Sequence, residues 1–232
     1  MPKLILVRHG QSQWNLENRF TGWWDVDLTE QGVAEARAAG ALMKAKGALP
    51  SFAFTSLQTR AIRTLNLALE ECGRLWIPVV KDWRLNERHY GGLTGLDKQE
   101  TRERHGDEQV HVWRRSFDVP PPPLEKGSAF DLSQDPRYAG IDVPVTESLK
   151  LTIERVLPFW EQAILPVLAR GETVIISAHG NSLRALVKHL SHISDTEITG
   201  LEIPTGEPIV YDFEADASGK LQPGERYYLK DS

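Results

Sequence analysis

The chain has a single cysteine, Cys72, in 232 residues. One thiol cannot close an intrachain disulfide, and a cysteine-rich zinc site is excluded with it. Long apolar runs are missing too: no stretch approaches the roughly 20 residues that cross a bilayer. The apolar opening, KLILV, is far too short for the core of a signal peptide. Nor is there a large charge of one sign. Lys and Arg number 27 against 32 Asp and Glu, a net charge of -5. Scattered, mildly acidic charge makes a poor nucleic-acid binder by bulk electrostatics, so any bound anion must be held by a local basic cluster. These absences point to a reducing, cytoplasmic setting with neither a membrane nor a nucleic-acid partner. What is present is the balance of a globular protein, 41% hydrophobic and 25% charged. A chain of this length buries roughly 70% of its unfolded surface without staples, and residues 1–232 read as a single domain.

Strand and helix signals alternate. Lys3 to Val7 is short and continuously apolar, as in a strand buried on both faces. It runs into Arg8-His9-Gly10 and then a polar, aromatic stretch, QSQWNLENRFTGWWDVD, which reads as a long loop. Thr29 can cap a helix running through Lys46, with Gly47 as its stop. Phe52 to Thr55 reads as a strand, Gln58 to Glu71 as a helix, and Pro78 to Val80 as a third strand. Arg84 to Gly95 is a Gly-rich loop, followed by short charged helices near Lys98 to Arg104 and Asp107 to Arg115. Pro120 to Pro123 opens an irregular excursion that reaches Val145. A long helix from Glu147 to Ala169 should be interrupted at Pro158 and Pro166. TVIIS, Thr173 to Ser177, is the strongest strand signal, and Asn181 or Ser182 can cap the helix after it. Ile209 to Phe213 and Tyr227 to Leu229 read as late strands or extended tails. The class is α/β: three layers, a mostly parallel central sheet with helices on both faces, and an irregular excursion from the sheet.

LILVRHGQS and VIISAHGNS echo each other: a buried strand, His-Gly, an amide residue and Ser. Ligands of parallel sheets bind at the carboxyl ends of the strands. If these two strands are neighbours, His9 and His179 emerge side by side there, with glycines that let backbone N–H groups approach an anion. Two facing imidazoles can act as a nucleophile and a hydrogen-bond donor, or can ligate a metal with Glu87 as a third ligand. Basic neighbours argue against the metal. Arg8 is adjacent to His9, and Arg60, Arg114 and Arg115 are candidates for the same face. Guanidinium repels a cation and grips phosphate, so the pattern suits phosphoryl transfer.

RHGQSQWN, ENRFTGWWDVDLTEQG, TSLQTRAIRT, RLNERHYGGLTGLDK, WRRSFDVPPPP, SAHGNSLRALVKHL and IPTGEPIVYDF together resemble the cofactor-dependent phosphoglycerate mutases of the histidine phosphatase superfamily. The likeness extends from Lys3 to about Leu229. It implies that His9 is the phosphorylated nucleophile, with Arg8 and Asn15 as phosphate ligands and Thr21 and Gly22 lining the substrate end. Arg60 takes the place of the phosphate-pocket arginine, Glu87 of the general acid/base, and Tyr90 and Lys98 of substrate contacts. Arg114 and Arg115 match the pair that grips the distal phosphate and carboxylate. His179 matches the histidine that steadies the transferring group, with Gly180 and Asn181 beside it. The implied reaction interconverts 3-phosphoglycerate and 2-phosphoglycerate. It is primed by 2,3-bisphosphoglycerate, needs no metal, and takes small phosphoglycerates as its partners in a homodimeric enzyme. The Trp14–Trp24 loop and the C-terminal tail are the expected lids. The alternative is a bisphosphoglycerate mutase or a phosphatase on the same scaffold. A binding protein without activity would have lost one of His9, Arg60, Glu87 or His179, and all four are present. His89, His105, His111, His189 and His192 read as packing or surface histidines, and Arg63 as structural.

Overall fold

Continuous apolar runs too short for a helix pair edge to edge and leave both faces to be covered. In the computed structural model, which describes residues 1–232, Lys3–Arg8 (β1) lies parallel to Thr173–Ala178 (β4). Phe52–Thr55 (β2) flanks β4, and Val79–Lys81 (β3) forms the outer edge, all parallel. On the other side Ile209–Ala215 (β5) runs antiparallel to β1, and the short strands Leu221–Pro223 (β6) and Tyr227–Tyr228 (β7) pair with β5. The late segments are therefore an antiparallel margin on a parallel sheet, in the order β3-β2-β4-β1-β5-β6 with β7 beside β5.

Side chains alternate across this sheet, so each strand feeds two cores. Leu4, Leu6, Val174 and Ile176 face a cluster of 22 buried residues under Leu149–Phe159 (α6), Leu165–Leu168 (α7) and Gly180–Leu190 (α8). Ile5, Val7 and Ile175 face a second cluster under Glu30–Ala45 (α2) and Thr59–Glu71 (α3). No helix is long and apolar enough to cross a membrane.

Several boundaries differ from the sequence reading. The aromatic stretch after β1 contains a short helix, Gln13–Leu16 (α1), capped by the Ser12 hydroxyl at the Asn15 N–H. The long helix starts after Ser148, which caps it. Pro158 has no N–H to give, and the ladder widens to a π-helical turn at Trp160–Ile164 before Pro166 sits in the first turn of α7. The cap of α8 is His179 rather than Asn181 or Ser182, because β4 runs straight into the helix with no intervening loop. Lys98–His105 (α4) and Asp107–Arg115 (α5) form a hairpin over the carboxyl ends of the strands; the Pro-rich stretch beyond them takes the Gly92 N–H on the Pro122 carbonyl, and the excursion after it backs onto the aromatic loop, where Phe130 meets Trp14 and Trp24.

The C-terminal tail lies elsewhere than over the strand ends. Leu229 is buried in the core under α2, and the last carbonyl receives Lys46, which caps the far end of α2.

Candidate active site

The register of β1 on β4 places Arg8 opposite Ala178, so the next residues, His9 and His179, leave the sheet together. Their ring centroids are 5.0 Å apart and both rings are buried. His9 Nδ1 lies 2.7 Å from the Gly10 carbonyl, which can only accept; Nδ1 therefore holds the proton and Nε2 the lone pair. Burial, then the positive charges of Arg60 and Arg8, hold His9 well below its ordinary value, so it is neutral at pH 7. Burial and Arg60 push His179 the same way. Ser56 Oγ, which accepts the Gln58 N–H at 3.2 Å, stands 2.8 Å from His179 Nε2. Its own proton can go to Nε2, which leaves the ring proton on Nδ1, an atom with no protein partner.

Beside the pair is an open cavity lined mainly by polar and charged side chains. Every residue the sequence nominated lines it except His179, whose buried ring lies beside that of His9. Arg8 gives Nη1 to the Ile203 carbonyl at 2.8 Å and keeps a buried Nε without a partner. Arg60, 1% exposed, donates to the Gly22 carbonyl at 2.9 Å and the Trp24 carbonyl at 3.1 Å. Gly22 is at φ +57, and a Cβ there would meet the Tyr90 nitrogen at 2.9 Å, so glycine is required for this approach. Asn15 Oδ1 receives the Ser12 N–H at 3.1 Å, which turns its amide NH₂ away for a ligand.

Glu87 is held from three sides. Its N–H donates to Gln58 Oε1 at 2.8 Å; its Oε1 accepts the Arg88 N–H at 2.8 Å and the Asn181 N–H at 3.1 Å. Oε2 is left for chemistry. Behind it the buried pair Arg155–Glu147 fastens the whole segment: Arg155 donates to the carbonyls of Arg84, Asn86 and Glu87, and Glu147 accepts the His89 N–H. Asn181 Nδ2 reaches Tyr90 Oη at 3.4 Å. Burial works to raise Tyr90's pKa, but the charge and hydrogen bond of Arg88, 4.6 Å over the ring, together with the charge of Lys98, bring the phenol down to about 8. Burial pulls Lys98 and Arg114 down at the mouth.

Gly10 serves packing, contrary to the expectation that its N–H approaches an anion. Gly10 N–H is taken by Thr64 Oγ1 at 3.1 Å, and a Cβ on Gly10 would sit 2.2 Å from the Gly32 carbonyl. This glycine lets α2 pack against the end of β1; it does not cradle an anion. The sequence reading also missed Arg19, Phe20, Arg184, Glu202 and Ile203, which share the lining. Arg184 had a signal, since it lies one helical turn after Asn181 and donates to Asn181 Oδ1 at 2.8 Å. Glu202 and Ile203 had none, because they come from a loop 23 residues or more beyond His179 with no local pattern. His89 is buried against Trp23, with Nδ1 accepting the Gly91 N–H, and burial drives it down to about 4. Arg63 pairs with Asp27 at the surface. No group of three His, Cys, Asp or Glu side chains comes together to hold a metal ion.

The family model of the histidine phosphatase superfamily (branch 1) matches residues 4–221. A 2,3-bisphosphoglycerate-dependent phosphoglycerate mutase of Erythrobacter litoralis (strain HTCC2594) is 78% identical over 232 residues, 100% of both chains. One of the same name from Zymomonas mobilis is 64% identical over 231 residues, again 100% of both. Among solved structures, a phosphoglycerate mutase of Bacillus anthracis str. Sterne is similar with a TM-score of 0.67 at 21% identity, over 97% of this chain and 92% of that one. A mycobacterial glucosyl-3-phosphoglycerate phosphatase reaches 0.72 at 21% identity, over 97% and 98%. At such identities the structures speak for the fold alone.

Proposed function

The chain belongs to the histidine phosphatase superfamily, with full-length relatives named 2,3-bisphosphoglycerate-dependent phosphoglycerate mutases, and from that membership we propose that it interconverts 3-phosphoglycerate and 2-phosphoglycerate through a phosphohistidine at His9. The observation that carries the site assignment is the pair of buried neutral imidazoles, one with a free Nε2 lone pair and one with an unpartnered Nδ1, in an arginine-lined cavity. The unpartnered Arg8 Nε and the cationic lining suit a ligand with several negative charges. When bound, 2,3-bisphosphoglycerate supplies the phosphoryl group that primes the enzyme.

His9 Nε2 attacks phosphorus, forming the N–P bond as the P–O bond to the leaving oxygen breaks. In the next half-reaction the free hydroxyl of the monophosphate attacks phospho-His9, and the N–P bond breaks. Glu87 Oε2 takes the hydroxyl proton and returns it to the departing alkoxide in the reverse sense. Charge spreads over the three equatorial oxygens in the transition state. Arg8 and Arg60 in the cavity wall, and the His179 Nδ1–H that no protein group takes, are the donors assigned to it. Asn15, Thr21 and Gly22 line the substrate end; Tyr90, Lys98, Arg114 and Arg115 hold the distal carboxylate and phosphate, with Gly180 and Asn181 beside His179. Arginines do the work of a metal, so the reaction is metal-independent. Residues 1–232 act as one domain of a cytoplasmic enzyme. A homodimer is supported by β3, an open sheet edge with Val79 and Val80 exposed, next to Leu75 and Trp76, the latter 71% exposed. Trp76→Glu should shift sedimentation to the monomer; an unchanged dimer would place the interface elsewhere.

The test is phosphorus NMR of 3-phosphoglycerate in chelator, with and without trace 2,3-bisphosphoglycerate. Appearance of 2-phosphoglycerate, stimulated by the bisphosphate and lost with acid-labile label in His9→Ala, is the expected result. Release of inorganic phosphate or accumulation of bisphosphate would move the protein to a phosphatase or a bisphosphoglycerate mutase.

A further inference from the structure

Two carboxylates line the cavity, Glu87 and Glu202. Glu87 has its place in the chemistry; Glu202 has none so far. It projects from the loop after α8 and ion-pairs with Arg115, the last residue of α5. The loop's backbone is tied down on both sides of it. The Ile203 carbonyl takes Arg8, the Gly206 N–H donates to the Arg8 carbonyl at 2.9 Å, and the Ile198 carbonyl takes Arg184. The Glu202 side chain, by contrast, is 65% exposed and reaches across the mouth to the one arginine of the distal pair that meets a carboxylate.

We propose that Glu202 is a specificity-determining counterion: its carboxylate occupies Arg115 in the free enzyme, and the incoming carboxylate or phosphate of the substrate must displace it. The inference rests on the reading that Arg115 grips the distal anionic group. A carboxylate on a guanidinium is the same chemistry as the substrate's own end, so the two compete for one fork of donors. Displacement leaves Glu202 as a fixed negative charge at the rim. That charge opposes a bisphosphate more than a monophosphate, because repulsion scales with ligand charge. Glu202 thus biases the cavity toward letting the bisphosphate go, and its influence fades with salt.

Glu202→Gln removes the charge and keeps the shape. An exposed ion pair is worth about 0.2–1 kcal/mol, or roughly a 1.5- to 5-fold change in binding. The expected result is a KM for 3-phosphoglycerate lower by that factor and a larger drop in the half-saturating concentration of 2,3-bisphosphoglycerate, both shrinking at high ionic strength. Damage to the fold cannot produce tighter binding. In an Arg115→Ala background the Glu202→Gln gain should vanish. If Arg115→Ala weakens binding but Glu202→Gln leaves it unchanged or weakens it, the counterion is refuted and the distal grip stands. If Arg115→Ala binds like wild type, the distal grip itself fails and the counterion with it.

Discussion

At the scale of residues, the site is a set of protons assigned by neighbours that are not themselves reactive. The Gly10 carbonyl sets the tautomer of His9, and Ser56 sets that of His179. Ser56→Ala removes the hydroxyl proton from His179 Nε2 and lets the ring proton settle there, away from the transferring group. One hydrogen bond is worth about 0.5–1.5 kcal/mol, so kcat should fall roughly two- to tenfold while KM stays near wild type. A steady-state comparison decides it, and an unchanged kcat would remove Ser56 from the account. Sequence alone made His9 and His179 legible because each follows directly on a buried strand and the two segments echo each other. Ser56 lay inside a segment that resembled the family, but nothing in TSLQTR says that the serine faces a histidine 123 positions away.

At the scale of elements, Glu87, the proposed acid/base, sits on a segment without regular structure, which must be made rigid from outside. Arg155 on α6 does this with three backbone carbonyls and a buried carboxylate, at 8% and 4% side-chain exposure for Arg155 and Glu147. Arg155→Met leaves Glu147 as an unpaired buried charge and should cost about 3–5 kcal/mol. Urea unfolding measures that loss. In the fraction that remains folded, kcat should fall more than KM rises, since Glu87 loses its fixed backbone. The strands and most helices could be read from apolar runs and caps. Three features could not. The π-helical turn depends on how Pro158 is accommodated, the His179 cap on the absence of a loop after β4, and the seat of the tail on a single leucine reaching the α2 core.

For the molecule as a whole, three buried histidines tie stability to pH. His9, His89 and His179 are all held below the ordinary 6.5 in the folded state, chiefly by burial. The unfolded chain takes up protons at these positions below pH 6.5 and the folded one does not, so their contribution is complete above that value. It is lost as pH falls, by up to about 1.4 kcal/mol per pH unit for each group. Unfolding free energies measured between pH 7.5 and 5 should therefore drop by about 4 kcal/mol per unit at the steepest. His89→Gln should flatten the slope by about a third. A flat profile would mean that the rings are protonated in place. For His9 and His179 the two-sided core makes this possible, because it withdraws the strand ends from water on both faces; His89 is withdrawn instead by its packing against Trp23.

Arg19 lies in the cavity wall with its guanidinium 4.1 Å from the centre of the Trp14 ring, and Trp14 in turn stacks on Trp24 at 6.5 Å. A cation on an indole face alters its excited state, and an anion entering the cavity competes for that cation. Tryptophan emission should therefore change as 3-phosphoglycerate is added, and loss of that change in Trp14→Phe would assign it to this indole; an unchanged signal would mean that the anion leaves Arg19 on the ring.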